Sequence, residues 1–458
     1  MAGGSKRSFR FPTCWDVDRR GRESIYVSAD RCVICRLGVR GAEMMDACAG
    51  GGTPEAIARV LSKKWGRAFQ DVLPAVDVFV EKMIHDGFFD RANRRHKSPQ
   101  IQVGPQPLEP LILYLHLTDD CNQACIYCYN ADIRRAPGKA RSLTLTEHRK
   151  ALAEWAGIGA RQVIFTGGEP LLSPFWRKLA AEVKSHGMSL SLLTNGTLID
   201  RRSAEDLRRH FTQVIVSLDS PERGAHEAAR GRGTFARTVE GIRNLGRAGH
   251  PGVLLRAVLH RGNLDTIHRF PLFAKSMLGY AQFEMSLYVP NRGETSPESH
   301  LPSIEAYGRA LSRFEEALAE VGGTSRPACS SPRATIRCGA ASQVFSVSPQ
   351  GDIFPCQSLH DDALCMGNVR MGNILTQLER SSTGRALRKL HVYKVKQCRD
   401  CGLNFVCGGG CRAIAWKLFG SWDAFNPYHC AFNAFNAWEH LWEATKPPER
   451  APSSGPAL

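Results

Sequence analysis

The chain has 458 residues, 43% of them hydrophobic, which predicts a folded protein of more than one domain because single hydrophobic cores rarely grow that large. No apolar run is long enough to cross a bilayer and the amino terminus lacks the features of a signal peptide, so we predict a cytoplasmic protein whose 16 cysteines bind metal rather than form disulfides. The net charge of +16 suits an acidic peptide partner, nucleic acid or solubility alone, and does not separate them.

The first 94 residues have the pattern of a small winged-helix-like domain. Strands are predicted at residues 8–11 and 24–28 around a turn at 19–21, helices at 42–48, 54–65 and 72–86, and a last short strand after residue 89. Four cysteines here include one C-x2-C pair that could bind metal, but we interpret them as buried apolar residues: Cys14, Cys32, Cys35 and Cys48. Residues 95–110 are charged and lack apolar periodicity, as is typical of a linker.

Residues 111–322 alternate apolar strand-like runs with amphipathic helical patterns. The predicted strands are residues 111–118, 162–166, 189–194, 213–218, 253–259 and 282–288. The predicted helices are residues 146–156, 174–185, 204–210, 235–248, 264–277 and 303–321. Strands separated by helices form parallel βα units, so the fold class is α/β and we predict a partial (β/α)6 barrel with its chemistry at the carboxyl ends of the strands.

Three cysteines with C-x3-C-x2-C spacing follow the first of these strands. Cys121, Cys125 and Cys128, with an aromatic ring at Tyr127, can hold three irons of a [4Fe-4S] cluster. The fourth iron would then be open to bind a small molecule and pass it an electron. A structural zinc site is the alternative, but it needs four ligands, usually as two separated pairs. The triad therefore favours an iron-sulfur cluster.

Polar residues follow the later strands as well. After the second strand, Gly167 and Gly168 let the backbone approach a ligand, and Glu169 can accept hydrogen bonds from an ammonium group. We predict ligand contacts from Asn195 at the end of the third strand and from Ser217 at the end of the fourth. Arg230 and Arg256 are the candidate cations for a ligand carboxylate.

Residues 323–445 form a cysteine-rich region, and residues 446–458 are predicted to be a disordered tail. The spacing C-x12-G-x4-C, then C-x2-C-x5-C-x3-C, then C describes seven cysteines: Cys338, Cys356, Cys398, Cys401, Cys407, Cys411 and Cys430. A zinc ribbon would account for Cys398 and Cys401 alone, but not for all seven in this order.

The triad, the turn Thr166-Gly167-Gly168-Glu169-Pro170 and the segment Ser217-Leu218-Asp219 together resemble the signature of radical S-adenosylmethionine (SAM) enzymes. The resemblance implies that the triad's cluster binds SAM and cleaves it to methionine and a 5′-deoxyadenosyl radical. It also implies that Glu169 meets the amino group of SAM, while Arg230 or Arg256 meets its carboxylate.

The seven later cysteines resemble the SPASM domain of radical SAM peptide maturases, which carries two auxiliary [4Fe-4S] clusters. The resemblance assigns Cys338, Cys356 and Cys411 to the first auxiliary cluster, and it assigns the remaining four to the second: Cys398, Cys401, Cys407 and Cys430. Three clusters are therefore expected in all. Cys329 is our choice for an eighth ligand and Cys365 is the rival; if neither binds, one iron of the first auxiliary cluster is open.

Residues 1–94 resemble the PqqD-like domain, or recognition element, of ribosomally made and post-translationally modified peptides (RiPPs). Such a domain binds a leader peptide as an added strand at its sheet edge. The alternative is a DNA-binding winged helix in an iron-sulfur redox sensor that does not cleave SAM. Fusion to a SAM-type enzyme favours a peptide, and we expect neither a membrane nor a nucleic-acid partner.

These resemblances imply an oxidoreductase that crosslinks a ribosomal peptide or small subunit, with flavodoxin or ferredoxin as electron donor. A thioether is our first choice, as in sactipeptide maturases and the maturase of quinohemoprotein amine dehydrogenase. A carbon-carbon link, as in pyrroloquinoline quinone biosynthesis, is second. Formylglycine formation, as in sulfatase maturation, is third. In that family an aspartate that resembles a general base stands just after the second cysteine of the domain, and here that position is Gln357. Asp361 and Asp362 are the only, and weak, catalytic candidates.

Overall fold

The computed structural model describes residues 9–10, 16–28, 33–91, 103–128, 130, 141–289, 299–327 and 336–446. Cys14, Cys32 and Cys329 lie outside these ranges, as do residues 95–102 of the predicted linker and 447–458 of the predicted tail. Within the described ranges, no helix combines the length and the apolar character that a membrane span requires.

The amino-terminal region is built on short antiparallel strands. Their bounds are β1 Phe9–Arg10, β2 Asp16–Arg20, β3 Glu23–Ser28, β4 Val33–Gly38 and β5 Asp90–Arg91. The sheet order is β2-β3-β4, while β1 pairs with β5. The predicted turn is confirmed, because Gly21 links β2 to β3 with a φ of +55°. The predicted strand at residues 8–11 is present as β1, but it pairs with β5, and the strand across the turn from β3 is β2.

Three helices complete this region, as predicted: α1 Val39–Ala47, α2 Pro54–Trp65 and α3 Phe69–His85. Thr53 caps α2 by accepting a hydrogen bond from the amide of Ala56. Cys48 is buried, and Cys35 packs beside it, between these helices and the sheet. Burial raises the pKa of Cys48 to about 12 and that of Cys35 to about 11, which supports our interpretation of both as apolar core residues.

Ten strands form one large sheet. Their bounds are β6 Ile112–His116, β7 Gln162–Thr166, β8 Ser189–Thr194, β9 Gln213–Ser217, β10 Val253–Leu259, β11 Gln282–Leu287, β12 Thr324–Pro327, β13 Val344–Val347, β14 Asp352–Phe354 and β15 Gly367–Asn368. Strands β6 to β12 are parallel and lie side by side in chain order, and β13 pairs parallel to β6 on its other side. The six predicted strands are confirmed, but β12 and β13 lengthen the parallel part of this open sheet to eight strands.

Helices pack on one face of the sheet. Their bounds are α4 Leu145–Gly157, α5 Trp176–Ser185, α6 Arg201–His210, α7 Arg223–Arg230, α8 Thr234–Arg247, α9 Phe270–Leu278 and α10 Ile304–Glu320. The prediction missed α7, and it merged α9 with the 3-10 helix Leu264–Arg269 that precedes it.

Alternation along the strands separates the two faces of the sheet. In β6, Leu113 and Leu115 are buried in the core under the helices, while Tyr114 and His116 lie on the other face. The same alternation in β10 places Arg256 on the face opposite the helices. The face of the sheet opposite these helices therefore carries polar side chains, among them His116 and Arg256, close to the carboxyl ends of the strands.

The carboxyl-terminal region contains short helices and one long one. Their bounds are α11 Ile374–Arg380, α12 Ser382–Arg388, α13 Lys396–Arg399, α14 Asn404–Cys407, α15 Arg412–Phe419 and α16 Pro427–Ala444, with 3-10 helices at Asp362–Leu364, Val369–Met371 and Val392–Lys394. Another 3-10 helix, Pro170–Leu172, follows β7. Residues 103–110 run along this region, where Glu109 donates its amide to the carbonyl of Ser342 at 3.0 Å.

Candidate active site

The cysteine triad lies in the loop that leaves β6. Cys121, Cys125 and Cys128 are all partly buried, and Arg230 at the end of α7 places Nη1 3.9 Å from Cys125 Sγ. Burial raises the pKa of the Cys125 thiol to about 11, and the charge of Arg230 opposes that rise. The guanidinium therefore favours the thiolate form that iron requires.

The assignment of the triad to a cluster rests on its spacing along the chain. In a [4Fe-4S] cluster each thiolate binds a different iron, whereas a structural zinc ion needs four ligands around one centre. Three cysteines on one loop fit the first case, and the ligand role of each stays a prediction.

The glycine turn after β7 is pressed against the triad's loop. A Cβ atom at Gly167 would lie 2.4 Å from the carbonyl oxygen of Thr118, and one at Gly168 only 2.0 Å from that of Asp120. The amide of Gly168 donates to Thr118 O at 2.8 Å, and that of Glu169 to Asp120 O at 2.7 Å. Only glycine allows these two loops to touch immediately before Cys121.

Glu169 has its carboxylate buried, with a relative exposure of 1%. It accepts hydrogen bonds from Thr194 Oγ1 and from the amide of Asn195, both at 2.8 Å, and from the amide of Leu171 at 3.2 Å. Burial raises its pKa to about 7, against the effect of these donors. A ligand ammonium would relieve that cost, which fits the role that the sequence predicts.

Asn195 also ties the third strand end to the triad. Its Nδ2 donates to Asn122 Oδ1 at 2.8 Å, and Asn122 Nδ2 donates to Thr197 Oγ1 at 2.8 Å. Asn122 directly follows Cys121, so this pair positions the first cysteine relative to β8. The sequence analysis missed Asn122, although its place inside the C-x3-C spacing was a usable signal.

Arg230 and Asp219 form a buried ion pair beside the triad. Arg230 donates from Nε to Asp219 Oδ2 at 2.6 Å and from Nη2 to Oδ1 at 3.1 Å, and Tyr127 donates its hydroxyl to the same carboxylate. Burial alone would raise the pKa of Asp219, but Arg230 and these hydrogen bonds hold it below its ordinary value. Tyr127 and Arg230 thus lie at the triad, and both are engaged by Asp219.

Arg256, the second predicted cation, lies on β10 beside Ser217 of β9. Its Nη2 donates to Glu284 Oε1 at 2.7 Å, while its buried Nε has no hydrogen-bond partner among the described residues. Ser217 is partly exposed at the end of its strand. Arg256 therefore retains a donor for a ligand anion next to a hydroxyl group, a combination that Arg230 does not offer.

Two histidine rings stack where β6 meets the carboxyl-terminal region. The ring centroids of His116 and His360 are 4.1 Å apart, and His360 Nε2 lies 2.7 Å from Ser346 Oγ. Ser346 Oγ also lies 3.2 Å from the carbonyl oxygen of Tyr114, so this hydroxyl links the His360 ring to β6. The sequence analysis missed His360, a titratable ring at this strand end.

The two aspartates proposed as catalytic candidates have other surroundings. Asp361 accepts hydrogen bonds from Trp416 Nε1 at 3.0 Å and from the amide of Ala363 at 3.1 Å, so it anchors the start of a 3-10 helix. Asp362 is exposed. The structure brings neither into the set of residues around the triad.

The carboxyl-terminal cysteines fall into two groups. Burial raises the pKa of Cys356, and neighbouring Cys338 and Cys411 raise it further. The four others act on one another: burial raises the pKa of Cys398 to about 11, with further contributions from Cys407, Cys401 and Cys430. The two groups match the assignment made from the sequence, although the ligand role of each cysteine stays a prediction.

Cys365 differs from these seven. It is exposed, it donates to the carbonyl of Gly367 at 3.3 Å, and the charged groups that act on it are Asp352 and Asp362 rather than a cysteine. Arg412, buried and missed by the sequence analysis, acts electrostatically on Cys338 of the first group and on Cys398 of the second.

Fold and site together define an iron-sulfur enzyme with a parallel α/β sheet and a cysteine-rich carboxyl-terminal region. The family model of the radical SAM superfamily matches residues 115–270, and that of the SPASM iron-sulfur cluster-binding domain matches residues 338–402. The AdoMet-dependent heme synthase of Methanosarcina barkeri is 30% identical over 346 residues, which are 70% of this chain and 96% of the synthase. The chain therefore belongs to the radical SAM superfamily.

Two further relatives place it beside peptide maturases. Mycofactocin maturase MftC of Mycobacterium tuberculosis is 27% identical over 318 residues, covering 66% of this chain and 78% of the maturase. The crystal structure of Streptococcus suis SuiB bound to its precursor peptide SuiA has the same fold, with a TM-score of 0.58, 14% identity, and coverage of 92% of this chain and 99% of SuiB. This chain is a radical SAM enzyme related to such maturases, which leaves the redox-sensor alternative without support.

Proposed function

We propose that this enzyme binds a ribosomally made peptide through its amino-terminal sheet and forms an intramolecular crosslink in it, most readily a thioether. One observation carries the proposal: the amino-terminal sheet packs directly on the region that holds Cys401 and Cys407, so a peptide bound there is delivered to the iron-sulfur enzyme. A carbon-carbon link is the second choice. Formylglycine formation stays third, because Asp361 is occupied in anchoring a helix.

The edge of β4 is the place we assign to the peptide. Both faces of the amino-terminal sheet are covered, one by α1 to α3 and the other by the carboxyl-terminal region. At the β2 edge, Asp16, Asp18 and Arg20 contact the carboxyl-terminal region. Among the described strands, none pairs with the outer edge of β4. An added strand there would satisfy backbone groups that the sheet leaves open.

We assign SAM to the space between the triad and the ends of β7 to β10. Cys121, Cys125 and Cys128 would hold its cluster, and Glu169 would accept hydrogen bonds from the ammonium of SAM. Arg256 is our choice for the carboxylate, because its buried Nε is unsatisfied while Arg230 is engaged by Asp219.

When bound, the clusters supply the electron that cleaves SAM and accept the electron left after bond formation. Thioether formation removes one hydrogen atom from a carbon of the peptide, which becomes part of 5′-deoxyadenosine, and one proton from its thiol. The group that the carboxyl-terminal cysteines would hold would take up the remaining electron. His360 is the residue we propose to accept the thiol proton, because an imidazole can act as a general base and the contact with Ser346 holds the ring in place.

Sequence identity alone does not separate a peptide from a tetrapyrrole substrate, because a heme synthase is among the relatives. Its match covers 96% of the synthase but 70% of this chain, so this chain has segments that the synthase lacks. The likeness of fold to SuiB covers 92% of this chain. That added length, together with the open β4 edge, favours the peptide.

The test first searches the neighbouring reading frames for a short cysteine-bearing peptide, and then assays that peptide anaerobically with the reconstituted protein, SAM and dithionite. We expect 5′-deoxyadenosine and a peptide product lighter by two hydrogen atoms, with one residue crosslinked through the cysteine sulfur. A variant peptide with Ser in place of that Cys is the matched control. SAM cleavage that ignores the peptide and leaves its mass unchanged would refute the proposal.

A further inference from the structure

The amino-terminal sheet forms part of the surroundings of the second cysteine group. Ile25 and Val27 of β3 are fully buried against the carboxyl-terminal region. Their partners in that cluster are Leu403, Phe405, Ala437, Leu441 and Trp442, with Cys401 and Cys407 packed alongside. The contact is apolar at its centre, so the two regions are held together by burial as well as by polar bonds.

Every second residue of β2 makes a polar contact across this boundary. Asp16 Oδ2 accepts a hydrogen bond from the amide of Gly402 at 2.7 Å, and Asp18 Oδ2 accepts one from Trp442 Nε1 at 2.6 Å. Arg20 pairs with Glu439 at 2.6 Å. Residues i, i+2 and i+4 of a strand share one side, so the pairing register of β2 directs all three side chains to the carboxyl-terminal region.

The first of these contacts lies next to a cysteine of the second group. Gly402 follows Cys401 in the turn between α13 and α14, and its amide is the one that Asp16 holds. A Cβ atom at Gly402 would lie 2.2 Å from Asp16 Oδ2, so the carboxylate reaches the backbone only because this residue is glycine. Asp16 thus places a negative charge and a fixed acceptor beside the Cys401 thiolate.

We propose that Asp16 is a positioning residue for the auxiliary cluster held by Cys398, Cys401, Cys407 and Cys430, fixing the Cys401 turn and lowering the reduction potential of that cluster. The inference rests on the second auxiliary cluster of the proposed function. Hydrogen bonds and net charge around the ligands set the potentials of iron-sulfur clusters. A nearby carboxylate stabilises the oxidised cluster, because reduction adds negative charge. The amino-terminal region thereby acts on the redox centre as well as on the peptide.

The test compares three variants of the full-length reconstituted protein: Asp16→Asn, Gly402→Ala and Asp18→Asn. Asp16→Asn keeps an oxygen acceptor for the Gly402 amide but removes the charge, so the iron content stays the same and the potential of one cluster rises. Since Asp16 is exposed, solvent screening limits the effect, and we expect the reduced-to-oxidised ratio at a fixed potential to change about threefold. Potentials are measured by redox titration followed by electron paramagnetic resonance, without SAM or peptide.

Gly402→Ala removes the contact between Asp16 and the amide of residue 402 but keeps the carboxylate of Asp16. The added Cβ would lie 2.2 Å from Asp16 Oδ2 and 2.9 Å from Asp16 Cβ, so the whole Asp16 side chain must move and its contact with the amide is lost. Iron content equal to that of the wild type shows that the variant is folded. We expect the potential to rise as in Asp16→Asn and amide hydrogen exchange to accelerate over residues 396–407. Asp18→Asn removes an equal charge from the same side of β2 but away from Cys401, and should leave both quantities unchanged.

Two results would overturn the inference: a potential unchanged in both Asp16→Asn and Gly402→Ala, or a wild-type protein with no cluster at the second cysteine group. Because the titration uses no peptide, it is independent of whether the enzyme crosslinks one. A protein that shows the shift but no peptide product would contradict the proposed function and leave the role of Asp16 intact.

Discussion

Arg230 and Asp219 form an ion pair of 2.6 Å whose side chains are 8% and 0% exposed. Removing one partner leaves an uncompensated charge in the core next to the cysteine triad. We therefore expect Asp219→Asn to lower the free energy of unfolding by about 3–5 kcal/mol. Urea denaturation of the metal-free protein under reducing conditions measures this change.

The half-exposed pair of Glu240 with Arg247 is the matched control. Glu240→Gln breaks a contact of similar length, 2.7 Å, in a place where water replaces it. The free energy of unfolding should stay nearly unchanged. Equal effects of the two substitutions would show that the buried pair has no special role in the fold.

Gly168→Ala should disable the SAM site without unfolding the protein. The new Cβ would overlap Asp120 O, whose residue precedes Cys121, so the triad's loop must move away. A shift of this size next to the reacting groups costs about 100-fold in rate. The measurement is 5′-deoxyadenosine formation under dithionite. Gly157→Ala, where nothing lies within 4 Å of the added atom, should retain wild-type activity.

Local patterns predicted the triad and the turn at Gly167 and Gly168, because each lies within a few residues of a strand end. The triad, the turn at Gly167 and Gly168, and the spacing of the later cysteines are all visible without knowledge of the fold. Contacts between distant segments were not predictable in this way. Asn122 and Asn195 are 73 positions apart, and Asp16 and Gly402 are 386 apart.

The missed elements have physical reasons as well. Helix α7 has few apolar residues, and it is held by the Arg230 pair with Asp219 rather than by a broad apolar face. Strands β12 and β13 have four residues each, too few to show an alternating pattern. The strand predicted at residues 8–11 is present, but its pairing with β5 at the far end of the region could not be read from a local pattern.

Glu169 should make stability depend on pH. Burial raises its pKa to about 7 from an ordinary value near 4.5, so between these two values the folded protein keeps a proton that the unfolded chain has lost. Stability from this group is therefore present below about pH 4.5 and is lost as the pH rises through about 7. We expect the metal-free protein to lose roughly 3 kcal/mol more than Glu169→Gln between pH 4.5 and pH 8.

Urea denaturation at both pH values checks this, with each protein serving as its own reference at low pH. Gln keeps an oxygen that can accept the bonds from Thr194 and Asn195, so the variant tests the charge and not the packing. If the free energy of unfolding changed by the same amount between the two pH values in both proteins, Glu169 would not be protonated in the folded protein.

His360→Phe should separate SAM cleavage from crosslinking. The phenyl ring keeps the stack on His116 but removes the nitrogen that accepts the proton. We expect 5′-deoxyadenosine to form at a rate near that of the wild type, while the yield of crosslinked peptide falls at least about tenfold. Asp361→Asn is the control, since Asp361 anchors a helix, and it should retain the crosslink yield. Equal yields for His360→Phe and the wild type would remove His360 from the mechanism.

Iron content tests how the cysteines are divided. With three [4Fe-4S] clusters, the wild type should bind about twelve irons, and loss of one whole cluster should remove about four. We expect that loss in Cys356→Ala and in Cys401→Ala, because each belongs to a different buried group.

Cys365→Ala should bind as much iron as the wild type, since its surroundings contain Asp352 and Asp362 but no cysteine of the first group. Cys329→Ala then decides whether the first auxiliary cluster has a fourth protein ligand. A loss of iron in Cys365→Ala but not in Cys329→Ala would reverse our choice between the two.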